Sequence, residues 1–496
     1  MGVIIRQSFK SSVVSFTGAV LGFLSVIYVY PLELEAVGFV NNLYAIGTLF
    51  GPFVAVGLSS VAIKFFPDFF DKKTSRTKGL IPFLFFNVLL NTALFTIFFI
   101  VFKDVIYTAM MRLGFDVSMV EAHELIILLL VVTLSLINII TGLISNYGRI
   151  VFPNIFINLG FKIFLPVIIL LIFRNLIDVS LLPYLILFFF IGVFFANGIY
   201  LTVIKKLEFN VKGLFKKRYD YKEIYSFSFL SGLTYIGSIL AYRIDVIMIS
   251  GFIGLKEAGM YILPMTMAAI MDIPNSAILN VSTPIVSKAW KDGDLNKIKS
   301  IYKKASLNLF LIGGIILIGG YFCFESLGMI SSKPEVFISL KNIFLLLALT
   351  KLVDMITSIN SAIIGYSKNF KANLYFVMIL AVLNISLNYY FINQYGLIGV
   401  SMATLISISL FNAFKLIFIY RKFGFHPFTK SLFQGAAIFV FVGLVGYLLP
   451  DLNNSYLNIV YKASILSISY FVLLYFLKIS VDLNKIVNNR IIKKRF

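Results

Sequence analysis

The sequence predicts an all-α integral membrane protein of about fourteen transmembrane helices, and three features carry that expectation. The first is composition. Of 496 residues, 59% are hydrophobic and only 13% charged, with a mean hydropathy of +0.95, a balance that no water-soluble surface sustains. The second is segmentation, because the apolar residues gather into runs long enough to cross a bilayer core that needs ~20 residues of helix. The third is charge. Thirty-two of the 43 Lys and Arg residues fall into every second gap between these runs, as they do when basic loops are retained in the cytoplasm.

The first span, about 11–31, holds the run Val13–Tyr30, which is longer than a signal-peptide core and reaches Pro31 without a small-residue cleavage site. It is therefore expected to remain as a helix. Spans 2 to 6 follow at about 37–63, 80–102, 124–146, 152–173 and 180–204, with basic inner gaps at 64–79 and 147–151. Spans 7 to 12 are expected at about 224–252, 258–286, 305–324, 340–365, 371–392 and 397–419, with basic inner gaps at 287–304, 366–371 and 420–430. A last pair covers about 431–449 and 458–478, before a basic tail. Both termini are thus placed on the cytoplasmic side.

The longest basic gap separates two six-helix sets that each begin on the inner side, so a parallel pseudo-repeat is expected. The organisation is an N-terminal lobe (1–204), a basic linker (205–223), a C-terminal lobe (224–420), and accessory helices with the tail (421–496). A weak echo supports the repeat. Gly38 and Gly259 follow similar stretches 221 residues apart, and Pro52 and Pro274 are 222 apart.

Several function classes are disfavoured. A net charge of +21 would suit nucleic acid, but here it is spread over short loops next to lipid headgroups. No Gly-x-x-x-x-Gly-Lys-Ser/Thr or His-Glu-x-x-His segment occurs, and His123 and His426 are isolated. Cys323 is the only cysteine, which leaves no intrachain disulfide. No connection is long enough for a catalytic domain, so the chain is expected not to be an enzyme but a passive or ion-coupled transporter.

Intramembrane charges locate the candidate site, since each costs roughly 2.5–3.5 kcal/mol at a helix centre unless it meets water or a partner. Lys162 lies mid-span, facing either a cavity or a buried partner. Arg243 and Asp245 are about 200° apart around span 7 and should look in different directions. Asp272 precedes Pro274 in a span that also holds Pro264 and Pro284, either a flexing element or a static kink. Lys351 and Asp354, three residues apart, can neutralise each other. Lys415, a turn from the inner end of span 12, can snorkel.

From Asn384 to Ser407 the chain reads NISLNYYFINQYGLIGVSMATLIS, and its pattern of Asn384, Asn388, Gly396, Gly399, Ala403 and Thr404 resembles Wzx-type polysaccharide flippases of the MOP exporter superfamily. So does the stretch with Asp245, Gly251, Gly254, Gly259 and Tyr261. Relatives of that family include lipid II flippases and MATE exporters. The resemblance implies two lobes about a cleft that opens to either side, in a bacterial inner membrane, and an undecaprenyl-diphosphate-linked oligosaccharide as cargo. Glycan polymerase and glycosyltransferases are the implied partners, besides membrane lipids. A diphosphate needs cations, for which Arg243 with Lys162 or Lys351 are the candidates, and Asp272 and Asp354 complete the substrate-binding set. In similar lipid II flippases sodium is held by residues matching Asp245, Asn384, Asn388, the Val400 carbonyl and Thr404. Asn388 is neutral where an acid is expected, leaving one formal negative charge; sodium or a proton is the coupling ion so implied. The competing reading is a MATE-type cation-coupled drug or metabolite exporter, which Asp272 and Asp354 would serve.

Overall fold

The computed structural model describes residues 2–71, 76–77, 79–149, 151–204, 220–480 and 484. Lys72, Lys73, Lys78, most of the basic linker (205–219) and most of the basic tail lie outside the described residues.

All fourteen expected spans fall on helix. They are α1 (Gly2–Tyr28), α2 (Leu34–Ala55), α3 (Leu80–Arg112), α4 (Glu124–Ser145), α5 (Val151–Phe173), α6 (Leu182–Ile204) and α7 (Tyr221–Phe252). There follow α8 (Leu255–Asp292), α9 (Leu295–Met329) and α10 (Lys341–Tyr366). One 52-residue helix, Ala372–Phe423, is broken at Gly396 (φ 58°, ψ −136°) into α11 (372–395) and α12 (397–423). Next come α13 (Lys430–Leu448) and α14 (Ser455–Phe476). Extended structure among the described residues is a two-residue ladder, Phe70–Asp71 with Arg76–Thr77.

Side-chain caps satisfy the helix-end N–H groups that would otherwise lack partners. Asp220 accepts from Glu223 N at 3.1 Å, Asp294 from Lys297 N at 2.9 Å, and Asn454 from Tyr456 N at 3.0 Å.

Four breaks interrupt the spans, of which the one in α8 falls where Pro274 leads one to expect a bend. Span 2 stops at Val56 (φ 38°) and Gly57 (φ 73°) before a short helix, Leu58–Lys64. A Cβ on Gly57 would lie 2.1 Å from the Ser228 carbonyl of α7, so only glycine fits that crossing. Span 5 opens through a π-helical stretch, Ile155–Gly160, just before Lys162. α8 tightens into a 3-10 turn at Ala269–Met271 directly before Asp272, where Pro274 supplies no N–H to the preceding turn. α10 breaks at 357–359 before the short helix Asn360–Tyr366.

The chain forms two compact units. The first holds residues 1–25, 32–262 and 384–396. Its centre is α2, buried along Val37, Val40, Leu43 and Val54 and packed against α4 and α7, while α6 backs α4. α3 exposes Phe86, Leu89, Leu94, Ile97 and Val101, the surface a lipid-facing helix needs. The ends of α2 and α8 meet closely in this unit. A Cβ on Gly38 would lie 1.8 Å from the Leu255 carbonyl, and one on Gly259 would lie 1.8 Å from the Leu34 carbonyl.

The second unit holds residues 26–31, 263–383 and 397–496. α9 is its spine, contacting α10 on one side and the accessory helices α13 and α14 on others. Tyr470 of α14 donates to the Leu311 carbonyl at 3.0 Å, and Gly435 and Gly446 let α13 approach Leu311 and Phe322. Towards the basic-loop side, Val286, Ala289, Tyr302, Ile363, Ile419 and Phe425 form a further apolar cluster.

Candidate functional site

Arg243 and Lys162 are both half-buried in the first unit, and neither makes an ion pair among the described residues. The Arg243 guanidinium sits 5.3 Å from the Tyr44 ring centroid. Tyr44 stacks on Phe161 at 5.3 Å and on Phe190 at 5.4 Å. Phe161 directly precedes Lys162, so one aromatic stack links the surroundings of both cations. Lys162 lies against α1, its Nζ 3.7 Å from where a Cβ on Gly22 would stand and 4.0 Å from that of Gly18. Of the two readings of Lys162, the buried ion pair is not what the structure shows. Arg in a cation–π contact is held in place while its donor edge stays available for a phosphate or carboxylate, and Lys adds a second point charge.

Asp245, two residues from Arg243, looks elsewhere, as its angular offset on α7 requires. Its Oδ1 accepts from Asn388 Nδ2 at 2.9 Å and its Oδ2 from the Tyr261 hydroxyl at 3.3 Å. Asn388 also donates to Asn384 Oδ1. Three of the five positions matched to a sodium set therefore meet in the first unit, almost wholly buried, with Tyr261 as a fourth member. Asn388 spends both amide hydrogens on acceptors, and its own Oδ1 is buried without a hydrogen-bond partner. A half-turn of that amide would exchange donor for acceptor at Asp245 and form an all-oxygen set. Val400 and Thr404 lie in the second unit, where the Thr404 hydroxyl donates to the Val400 carbonyl at 3.0 Å.

The remaining candidates lie in the second unit and are paired differently from expectation. Lys351 does not close on Asp354. Its ammonium bridges both oxygens of Asp272, at 2.9 and 2.8 Å, because the 3-10 turn of α8 brings that carboxylate across from α10. Asp354 instead accepts from Asn412 at 3.2 Å. Lys415 does not snorkel. It is 2% exposed, donates to Ser361 Oγ at 2.7 Å and lies 3.9 Å from the Phe411 ring centroid, internal partners that make a route to water unnecessary.

Sequence reasoning missed Tyr44 as the seat of Arg243, Asn412 as the partner of Asp354, and the glycines facing Lys162. The last were readable. Gly18 and Gly22 form a small-xxx-small spacing that marks close approach to a neighbouring helix.

No family model matches the sequence, and no curated protein does. Solved structures do match in fold. A structure of the lipid II flippase MurJ in an inward closed conformation aligns with a TM-score of 0.71 at 16% identity, covering 96% of this chain and 99% of that one. An inward-facing multidrug resistance MATE transporter of the MOP superfamily aligns with a TM-score of 0.62 at 14% identity, covering 85% of this chain and 96% of that one. The many-helix membrane architecture expected from the sequence is thus the fold that this chain has in common with lipid II flippase and MATE structures.

Proposed function

We propose that the chain is a flippase of the MOP exporter type that turns an undecaprenyl-diphosphate-linked oligosaccharide, such as an O-antigen, capsule or exopolysaccharide repeat unit, from the inner to the outer leaflet by alternating access. The observation that carries this reading is the pair of cations without carboxylate partners among the described residues, Arg243 and Lys162, around the Tyr44–Phe161 stack, which lies within helices long and apolar enough to span a membrane. A cation left unneutralised there is costly unless an anion visits it, and a diphosphate is such an anion. The exporter reading needs carboxylates open to a cationic cargo. It is disfavoured because Lys351 neutralises Asp272 and Asn412 occupies Asp354.

In this reading the lobes are 1–204 and 224–420, the membrane is the bacterial inner one, and both termini are cytoplasmic. Lys351, Asp272 and Asp354 serve the cargo's sugar hydroxyls rather than its diphosphate. Glycosyltransferases would supply the cargo and a polymerase would take it. Asp245, Asn384 and Asn388 would hold a sodium ion, and the ion would supply a driving gradient. The oxygen chemistry of these residues, including the partnerless Asn388 Oδ1, fits a hard cation.

The test is Arg243→Ala against Arg243→Lys at equal expression. Lipid-linked oligosaccharide should accumulate facing inward in the first, with partial recovery in the second. Export at the wild-type rate in Arg243→Ala would overturn the assignment. Sodium is tested apart, since Asp245→Asn should lose the sodium response of transport and a full response would remove the ion from this site.

A further inference from the structure

On the membrane face opposite the basic loops, the first unit encloses a polar cavity of about 170 Å³ that the transport reading leaves unused. Glu35 and Asn42 of α2, Asp116 and Ser118 of the α3–α4 connection, and Ser250 of α7 line it. No Lys, Arg or His does, on a chain whose net charge is +21. Neither Glu35 nor Asp116 is ion-paired among the described residues. Glu257 lies beside the lining residue Gly254, its Oε2 2.8 Å from where a Cβ on Gly254 would be.

Carboxylates alone would be an ordinary solvated patch, but Asn42 is not explained that way. It is 3% exposed, and its Nδ2 donates to Met119 Sδ at 3.4 Å. The sulfur can only accept, which fixes the amide and leaves Oδ1 buried in the cavity wall without a partner. A buried carbonyl oxygen without a partner, in a cavity wall that also carries two carboxylates and two hydroxyls, asks for a positive ligand. The donors are all oxygens and Phe115 is the one aromatic ring among them, so an aromatic cage of the kind that holds organic ammonium is lacking. Carboxylate, amide and hydroxyl oxygens drawn from a loop and two helices suit a cation that accepts irregular coordination completed by water, which is calcium rather than magnesium.

We propose that this cavity is a Ca²⁺ site, and that its occupancy fastens the α3–α4 connection to the ends of α2, α7 and α8 beside the Gly38–Gly259 contact. The connection is already half-anchored, since Asp116 N donates to the Gly251 carbonyl at 2.7 Å. Asp116 Oδ1 also accepts from Ser118 N at 2.9 Å, which orients the carboxylate.

The experiment measures ⁴⁵Ca²⁺ binding and the melting temperature of the purified full-length protein in nanodiscs after chelator stripping. Wild type should bind one equivalent with a dissociation constant of about 10⁻⁴–10⁻³ M and melt higher as Ca²⁺ is added. Glu35→Gln and Asp116→Asn should each weaken binding about ten-fold or more, and Asn42→Asp should strengthen it about ten-fold. Absence of saturable binding by wild type would overturn the proposal, as would binding that Glu35→Gln leaves untouched. So would an equal stabilisation by ethylammonium or spermidine, which would assign the cavity to an amine. If Asp116→Asn fails to fold, the exposed Glu35→Gln and the wild-type titration still decide. None of these measurements depends on the cargo.

Discussion

Replacing Gly38 or Gly259 by Ala is the sharpest mechanical test of the structure. Each new Cβ would stand 1.8 Å from a backbone carbonyl of the facing helix, and must retreat about 1.6 Å to reach ordinary contact at 3.4 Å. Neither atom belongs to a side chain that could swing away, so α2 and α8 must part as rigid rods. Overpacking of this kind costs typically 1–3 kcal/mol, and an unyielding backbone puts each substitution near 3 kcal/mol. At about 1.4 kcal/mol per factor of ten, the closed contact should lose roughly two decades of population relative to a parted one. Spin labels at Glu33 and Lys256, read by pulsed dipolar spectroscopy, should report a longer and broader separation in either variant, with a lower melting temperature. The double variant should be little worse than one alone, because parting the helices once relieves both overlaps. Unchanged distances, or a fully additive double variant, would refute the mutual contact.

Three further outcomes follow from the polar groups. Asn388→Asp restores a second negative charge beside Asp245, and sodium should then stimulate transport at about ten-fold lower concentration, measured by cargo flipping in vesicles. Lys351→Met leaves Asp272 without its cation; the pair is partly exposed (29% and 46%), so the loss in thermal stability should be about 1 kcal/mol and should be recovered by adding Asp272→Asn. Asp451, between α13 and α14, has its carboxyl held below the usual range first by the 2.6 Å hydrogen bond from Lys462 and then by Asn458. Its folded pKa is depressed, so its contribution is present above the unfolded value near 4 and disappears as pH falls through the folded one. With Asp451 66% exposed the amount is within about 1 kcal/mol, and Asp451→Asn should flatten the melting profile in that acid window.

The spans were legible because each needs only its own run of apolar residues, and the bilayer sets their length. Of the breaks within them, only the one before Pro274 was legible. The turn at Val56–Gly57 answers to the Ser228 carbonyl of α7, and the π-helical stretch Ile155–Gly160 itself holds no proline and a single glycine, Pro153 lying in the ordinary helical turn ahead of it. Partners of buried charges were the least legible. Asp354 offered Lys351 a neighbour three residues away, yet Asp272, 79 residues distant, captured it from across α8. For Asp245 the resemblance named two partners, Asn384 and Asn388, and Tyr261 was in view only as part of a motif.

The faint echo between the two halves has a physical origin in the contact it creates. Gly38 presses on Leu255, and Gly259 presses on Leu34; Leu34 and Leu255 are 221 residues apart, the same offset as the glycines. A pair of contacts that exchange under one offset is what a two-fold axis produces when it passes through an interface, since each residue then meets its counterpart's neighbour. On such an axis a side chain would meet its own image from both sides at once, and glycine is the residue that leaves room for neither to intrude. Elsewhere the helices of two similar halves need not share residues, because apolar residues substitute freely for one another against lipid. The positions on the axis cannot drift independently. Gly38 and Gly259 are therefore the positions at which an echo between the two halves is held in place by contact.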